Sequence, residues 1–192
     1  MKICVYCSSS DAIAPGYFVA ARALGKRIST RGDTLVYGGA AVGLMGALAQ
    51  EVKAGEGTVV GVMPYLLQTE RLTFEDADEL ILTQDMRERK AVMEKQADAF
   101  VVLPGGFGTL EELSEILTLR QLGVHTKPIV LLNVDGFYDP LVALFEHFYR
   151  QRFAKPWREL YHVAGSVDEV FDYLDHYTPT SAPEKWFETK ED

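Results

Sequence analysis

Residues 99–112, AFVVLPGGFGTLEE, contain in succession the three parts of one structural unit. The apolar run Ala99–Leu103 predicts a buried strand, because apolar residues occupy consecutive positions instead of alternating with polar ones. Pro104 and the three glycines in the next four positions predict a sharp turn. The helical pattern Leu110–Leu122 follows at once. A strand, a glycine-rich turn and a helix in this order are typical of an α/β fold.

The same alternation of apolar runs and helical segments extends over most of the chain. It predicts an α/β fold with a Rossmann-like, doubly wound parallel sheet and helices on both faces. The other predicted strands are Ile3–Tyr6, Thr34–Tyr37, Thr58–Val62, Glu79–Leu82 and Pro128–Leu132. The other predicted helices are Tyr17–Thr30, Leu44–Ala54, Met86–Gln96 and Tyr138–Arg150.

The length of the chain predicts one domain. Its 192 residues, 47% of them hydrophobic, are enough for one core that is covered on both sides. Beyond Arg150 the alternation weakens, and a last helix is predicted at Val167–Tyr173. We therefore predict a single nucleotide-binding domain over residues 1–177 and a polar tail over residues 178–192.

Composition and charge argue against several classes of protein. The net charge is −9 without a basic stripe, so nucleic-acid binding is not predicted. No apolar stretch approaches the ~20 residues of a membrane-spanning helix, and we predict a cytoplasmic protein. Cys4 and Cys7 are spaced to point to opposite faces of a strand, and no second cysteine pair or neighbouring histidine completes a metal site. No metal is therefore predicted.

Small residues follow three of the predicted strands, at Ser8–Ser10, Gly38–Gly39 and Gly105–Gly106. Ligands of open α/β sheets bind beyond the carboxyl ends of the strands, so we expect a cleft there. The glycine loop over residues 38–46 precedes a helix, but the next strand ends without the acidic residue that would hold the ribose of NAD. NAD is therefore disfavoured, while the spacing leaves open whether this loop binds an anion or is only a tight turn.

The loop over residues 103–109 predicts a phosphate site. Its amides precede a helix, and the Thr109 hydroxyl is expected at or near the first helical residue. The lysine of a Walker loop, which would reach the terminal phosphates of a triphosphate, is absent from it. This favours a monophosphate over ATP or GTP.

Two charged residues are expected on apolar helix faces. Helical geometry places Glu112 on the same side as Ile116 and Leu119. Buried unpaired acids are rare, which favours a functional role over simple stabilisation of the helix dipole. Arg89 lies at the edge of the apolar stripe of helix Met86–Gln96. From geometry alone, it either covers apolar surface with its head in solvent or turns its guanidinium into the cleft.

The segments Met86–Lys90 (MRERK) and Pro104–Glu112 (PGGFGTLEE) together resemble the motifs of the LOG ("Lonely guy") family. Its members are cytokinin riboside 5′-monophosphate phosphoribohydrolases, often labelled lysine decarboxylases, and the resemblance extends from about Lys2 to Tyr173. It implies hydrolysis of the N-glycosidic bond of a nucleoside 5′-monophosphate such as isopentenyl-AMP or AMP, releasing the base and ribose 5-phosphate without a cofactor. It also implies a homodimer whose clefts contain residues of both subunits.

The family's site residues carry over by position, and Arg89 and Glu112 are the implied catalytic pair. Glu112 would stabilise positive charge on the ribose, and Arg89 would keep Glu112 ionised at neutral pH. Glu70 depends on a one-residue shift, since an ungapped alignment reaches Arg71. With the strand-end residues, the predicted substrate-binding set is Ser9, Gly39, Glu70, Arg89, Lys90, Gly105, Gly106, Phe107, Gly108, Thr109, Leu110, Glu111, Glu112 and Thr118.

Three positions depart from the family, and two other functions stay open. Glycine is frequent in the family where Ser8 and Ala40 stand, and histidine where Arg87 stands, so base preference is left undecided. One alternative is a carrier that binds a nucleotide or cofactor without cleaving it. The other is a pyridoxal-phosphate decarboxylase, for which Lys90 is the only lysine near the predicted cleft.

Overall fold

A computed structural model describes residues 1–184, in which seven strands form one parallel sheet in the order β4-β3-β2-β1-β5-β6-β7. This confirms the predicted fold class. The strands are β1 Lys2–Tyr6, β2 Thr34–Tyr37, β3 Thr58–Pro64, β4 Glu79–Thr83, β5 Ala99–Val102, β6 Ile129–Leu132 and β7 His162–Ala164. The helices are α1 Pro15–Thr30, α2 Gly43–Ala54, α3 Met86–Gln96, α4 Phe107–Gln121, α5 Asp139–Arg150 and α6 Val167–Asp175.

Each face of the sheet carries its own hydrophobic core. In β1, Ile3 and Val5 pack with apolar side chains of α1, α2 and α6. Cys4 and Tyr6 belong to the opposite core, which receives apolar side chains from α3 and α4. Cys7 lies on the same side as Ile3, so the two cysteines are buried on opposite faces as predicted, and both are free thiols. Coverage of both faces explains why the strands are apolar at consecutive positions.

The sheet reverses its direction of growth at β1. The chain builds β2, β3 and β4 outward on one side of β1, then crosses over through α3 to place β5 on the other side. The loops that follow β1 and β5 consequently lead to helices on different sheet faces. Such a switch point is where open α/β sheets bind ligands.

Helix α4 begins three residues earlier than predicted. Its N-cap is Gly106, and Phe107 is the first helical residue. The glycines of the predicted turn are thus partly helical, and Thr109 is the third residue of α4. Glu112 falls in the second turn, and the first turn contains no acidic residue. The helix-dipole explanation for Glu112 therefore loses its basis, because that effect is confined to the first turn.

Strand β7 was not predicted from the sequence. It is three residues long and pairs with β6 as an edge strand, so its apolar pattern is too short to detect. Residues 178–184 contain no helix or strand, and residues 185–192 lie outside the described part of the chain. The division between a domain ending at 177 and a tail stays a prediction. Within residues 1–184, no helix is suited by length and apolarity to cross a bilayer, and no three potential metal ligands converge.

Candidate active site

A cleft of about 600 Å³ opens beyond the carboxyl ends of β1, β2 and β5. This volume is in the range of pockets that hold small molecules. The structure brings the three glycine- and serine-containing strand ends together around it. They contribute Ser8, Ser9, Ser10, Gly38, Gly106, Phe107, Gly108 and Thr109 to its wall.

Glu112 and Arg89 meet in the wall of this cleft. Nη1 of Arg89 donates to Oε1 of Glu112 over 3.2 Å. Each residue is only 8% exposed. Glu112 faces inward from α4, beside the buried side chains of Leu113 and Ile116, as helical geometry predicts. Of the two possibilities for Arg89, the structure shows the second, with its head turned into the cleft.

The guanidinium of Arg89 is held in one orientation from three sides. Its Nε donates to the carbonyl oxygen of Val62 at the end of β3, over 3.0 Å. Its Nη2 packs against Gly38, where an added Cβ would lie 2.0 Å from that nitrogen. Glu112 completes the set through Nη1. The arginine approaches the end of β2 this closely only because residue 38 is a glycine. The glycine spacing over residues 38–46 left open whether the loop binds an anion or is only a tight turn, and this contact gives one of its glycines a role.

The carboxyl group of Glu112 titrates near neutrality. Burial raises the pKa of Glu112 to about 7, against the opposing effect of the positive charge of Arg89. The expectation that Arg89 keeps Glu112 ionised at neutral pH is therefore wrong, because the lost hydration of the carboxylate outweighs one ion pair. At pH 7 the group is divided between its charged and neutral forms. Such a pKa suits a group that exchanges protons during a reaction.

The amino end of α4 opens into the cleft and has the features of an anion site. The first amides of a helix have no carbonyl one turn earlier to donate to, and the helix dipole adds positive potential there. Gly106 and Gly108 line the cleft, and the space where a Cβ would stand on each of them is open. At Gly105 a Cβ would lie 2.1 Å from Oγ1 of Thr109, which packs closely under the turn. The arrangement presents backbone donors and one hydroxyl to a ligand.

Lys90 connects α3 to α4 and does not line the cleft. Its ammonium contacts the carboxylates of Glu111 and Glu115, both on α4. Although partial burial acts in the opposite direction, these two contacts raise the pKa of Lys90. The residue thus holds α4 against α3, and with it Glu112 against Arg89.

Several predicted contact residues lie outside the cleft. Gly39 packs against Met63 and Leu80, while its neighbours Gly38 and Ala40 line the cleft. Glu70 is exposed in the segment between β3 and β4 and borders a separate depression. Gly105, Leu110 and Thr118 are also absent from the lining.

Thr118 lies on the outer surface of α4. It is exposed, and its hydroxyl donates to the carbonyl of Ser114. Six residues separate it from Glu112, which corresponds to about 9 Å of helix. It borders a shallow cavity together with Phe145 and Phe148 of α5. Thr118 therefore lies away from the cleft of this chain, and its contact with substrate stays a prediction.

Of the three departures from the family pattern, two line the cleft and one does not. Ser8 and Ala40 both line the cleft, and the Ser8 carbonyl accepts from the amide of Leu44 at the start of α2. Arg87 is exposed and borders a neighbouring groove with Leu66 and Leu67, not the cleft itself. Ser8 and Ala40 are thus the departures that change the wall facing a ligand.

The apolar part of the wall was not predicted from the sequence. Four of the five methionines of the chain line the cleft, together with Leu67 and Leu72. The methionines are Met45, Met63, Met86 and Met93. They come from α2, β3 and α3, so no motif connects them in sequence. Five methionines in 192 residues are not unusual, so the sequence contains no signal for this lining.

Comparisons with known proteins identify a family and its relatives. The family model described as "Possible lysine decarboxylase" matches residues 45–174. A probable cytokinin riboside 5′-monophosphate phosphoribohydrolase of Arabidopsis thaliana is 46% identical over 179 residues, which cover 93% of this chain and 89% of that protein. The cytokinin riboside 5′-monophosphate phosphoribohydrolase LOG of Oryza sativa subsp. japonica is 44% identical over 179 residues, or 93% and 74% of the two chains.

Solved structures with the same fold include cofactor carriers. The Moco carrier protein of Chlamydomonas reinhardtii superposes with a TM-score of 0.69 at 24% identity, covering 91% of this chain and 94% of that one. The molybdenum cofactor binding protein of Rippkaea orientalis gives a TM-score of 0.68 at 22% identity, covering 91% and 93%. At these identities the likeness shows a shared fold.

Proposed function

The chain belongs to the LOG family, and we propose that it hydrolyses the N-glycosidic bond of a nucleoside 5′-monophosphate to the free base and ribose 5-phosphate. The observation that carries the proposal is the buried Arg89–Glu112 pair, 3.2 Å apart, in a cleft that also contains the amino end of α4. The phosphoribohydrolases are closer in sequence to this chain than the carriers are, which favours the enzyme.

Glu112 supplies the charge that the reaction needs. Breaking the bond between base and ribose builds positive charge on the sugar ring, and a carboxylate beside the ring stabilises that transition state. With a pKa of about 7, Glu112 also accepts the proton of an attacking water. Its burial strengthens the interaction, because few water molecules compete with the ring for the carboxylate.

Arg89 and α4 position the substrate. The amides at the start of α4 and the Thr109 hydroxyl bind the 5′-phosphate, as helix amino ends commonly do. The Nε bond to Val62 fixes the guanidinium plane, so that Nη1 and Nη2 remain beside the cleft-lining Glu112 and Gly38. Holding phosphate and sugar in this way brings the glycosidic bond to the carboxylate.

A substrate panel tests the proposed reaction. We expect base release from AMP and isopentenyl-AMP and little from adenosine, because the nucleoside lacks the phosphate that α4 binds. Separation of base from nucleotide by chromatography measures the rates. The apolar lining of Met45, Met63, Leu67 and Leu72 favours isopentenyl-AMP, and with it a role in cytokinin biosynthesis. Equal rates with adenosine and AMP would contradict the phosphate site.

The pH profile follows from the pKa of Glu112. Only the ionised carboxylate stabilises positive charge, and burial raises the pKa of Glu112 to about 7. Activity is therefore present above this pKa and lost as pH falls through it, by about tenfold in kcat/KM per unit well below pH 7. Steady-state rates between about pH 5 and about pH 9 measure this limb. A profile that instead falls as pH rises through 7 would show that Glu112 acts in its neutral form.

We also propose a homodimer through α4 and α5. Helix α5 contributes no buried residue, although Leu144 and Phe148 are large and apolar, and Phe153 beyond it is exposed as well. Exposed apolar surface of this kind marks an interaction site. The exposed Thr118 borders the same region. In an isologous pairing of these surfaces, Thr118 of each subunit would lie at the interface with the other.

Phe148→Glu is expected to dissociate this dimer. A charge at the centre of an apolar contact costs about 2 kcal/mol or more, about 30-fold in the dissociation constant. Light scattering measures the mass, and base release measures the activity. Val19→Glu is the matched control, because Val19 is an exposed apolar residue on α1. A dimer of unchanged stability in Phe148→Glu, or a monomeric wild type, would contradict the proposed interface.

The decarboxylase alternative conflicts with the surroundings of Lys90. A lysine that forms a Schiff base has to reach the ligand and lose its proton. Lys90 instead contacts Glu111 and Glu115 outside the cleft, and these contacts raise the pKa of Lys90 despite its partial burial. The residues present are therefore unsuited to holding pyridoxal phosphate. A cytoplasmic location and a single domain over residues 1–177 remain part of the proposal.

A further inference from the structure

The four methionines of the cleft differ greatly in their access to solvent. Met63 and Met93 are 2% and 0% exposed, whereas Met86, the first residue of α3, is 43% exposed. Oxidants reach a thioether in proportion to its exposure. Met86 is therefore the methionine of the cleft most open to oxidation, and Met1, 44% exposed, provides an internal reference outside the cleft.

The sulfur of Met86 contacts the catalytic arginine. It lies 4.0 Å from Nη1 of Arg89, the same nitrogen that donates to Glu112. A thioether sulfur accepts hydrogen bonds only weakly, so it packs against the guanidinium without competing for it. An oxygen atom bound to this sulfur would be a strong acceptor placed directly beside Nη1.

We propose that Met86 is an oxidation site for small hydroperoxides and that its sulfoxide inhibits the cleft, an inference that rests on the proposed role of Arg89. Hydrogen peroxide transfers one oxygen to the Met86 sulfur; its O–O bond breaks, the sulfur is oxidised by two electrons, and water leaves. The sulfoxide oxygen accepts a hydrogen bond from Nη1 of Arg89. Nη1 is then no longer free to donate to the substrate, and the apolar wall gains a polar group.

Reduction reverses the inhibition. A methionine sulfoxide reductase returns the sulfoxide to the thioether and releases the oxygen as water, while two thiols become a disulfide. Cys7, which also lines the cleft, is the competing target. Burial raises the pKa of the Cys7 thiol well above its usual value, so little reactive thiolate forms. Dithiothreitol reverses cysteine sulfenates and disulfides but not methionine sulfoxide, which separates the two routes.

The experiment exposes the full-length protein to increasing hydrogen peroxide. Peptide mass spectrometry measures the oxidised fraction at each methionine, and base release from AMP measures activity. We expect Met86 to gain one oxygen before Met63 and Met93, with loss of kcat/KM by at least about tenfold, the effect of a lost hydrogen bond to a charged group. The loss should follow the oxidation of Met86 and not that of Met1. Reductase treatment should restore the rate, and dithiothreitol alone should not.

Two variants keep the outcome decisive. Met86→Leu retains the apolar volume without a sulfur, so its rate, whatever the starting value, should not respond to peroxide. Met45→Leu removes another methionine of the same wall and should leave the sensitivity in place. Equal inactivation of Met86→Leu and wild type, or inactivation while Met86 remains a thioether, would overturn the proposal.

If the untreated protein releases no base, the proposed function fails, and AMP binding then becomes the readout for this inference. Weaker AMP binding by the Met86 sulfoxide would support the inference, and unchanged binding would refute it.

Discussion

Replacement of Glu112 by glutamine is expected to lower kcat/KM at least ~100-fold, the loss seen when one preorganised charge-stabilising group is removed. The substitution keeps the length of the side chain and an oxygen acceptor for Nη1 of Arg89, now 3.2 Å from Oε1. It removes only the ability to carry negative charge and to accept a proton. Base release from AMP measures the rate, and thermal unfolding establishes that the variant remains folded.

Glu115→Gln is the matched control for this substitution. Glu115 also lies on α4 and is also ion-paired, but it contacts Lys90 and does not line the cleft. Partly exposed ion pairs contribute at most about 1 kcal/mol, so its rate should stay within about fivefold of wild type. Comparable losses in both variants would mean that the helix, and not the carboxylate of Glu112, determines the rate.

Arg89→Lys is expected to reduce kcat/KM by about 10- to 100-fold, although the charge is retained. Lysine has no counterpart to Nε, which donates to Val62 over 3.0 Å, and it cannot present two further nitrogens in one plane. The substrate would therefore be held in a less defined position. Arg87→Lys is the control, because Arg87 is exposed on the same helix and borders another groove. A fully active Arg89→Lys would contradict the positioning role.

Arg89→Met adds a second readout to this comparison. Burial raises the pKa of Glu112 and the charge of Arg89 lowers it. Removal of that charge should move the acidic limb of the pH profile to values above 7. A variant that lost activity only because it packed poorly would not shift the midpoint. The pH profiles of Arg89→Met and wild type therefore separate an electrostatic role from a structural one.

The fold was largely predictable because its signals are local. Consecutive apolar residues in β1, β5 and β6 reveal strands that are covered on both faces, and the structure confirms the doubly wound sheet. The inward direction of Glu112 also follows from helical periodicity alone. By contrast, the start of α4 was misplaced because Gly106 caps the helix without a side chain. Strand β7 exists through pairing with β6, which a three-residue pattern cannot indicate.

The site was predictable only where its residues share a motif. Arg89 and Glu112 lie on different helices 23 residues apart, and the resemblance to the LOG family connected them before any geometry did. Properties that arise from packing could not be predicted. The pKa of Glu112 is an example, because the sequence does not show whether the effect of burial exceeds that of one ion pair. The positions of Glu70 and Thr118 outside the cleft also depend on tertiary structure.

The most direct test of the account is to identify the products formed from AMP by the wild-type protein and by Glu112→Gln. We predict adenine and ribose 5-phosphate in equal amounts from the wild type, and at least ~100-fold slower formation of both by the variant. Adenosine with inorganic phosphate would identify a different reaction at the α4 phosphate site. AMP that stays bound and uncleaved by the wild type would identify a carrier and contradict the proposed hydrolysis.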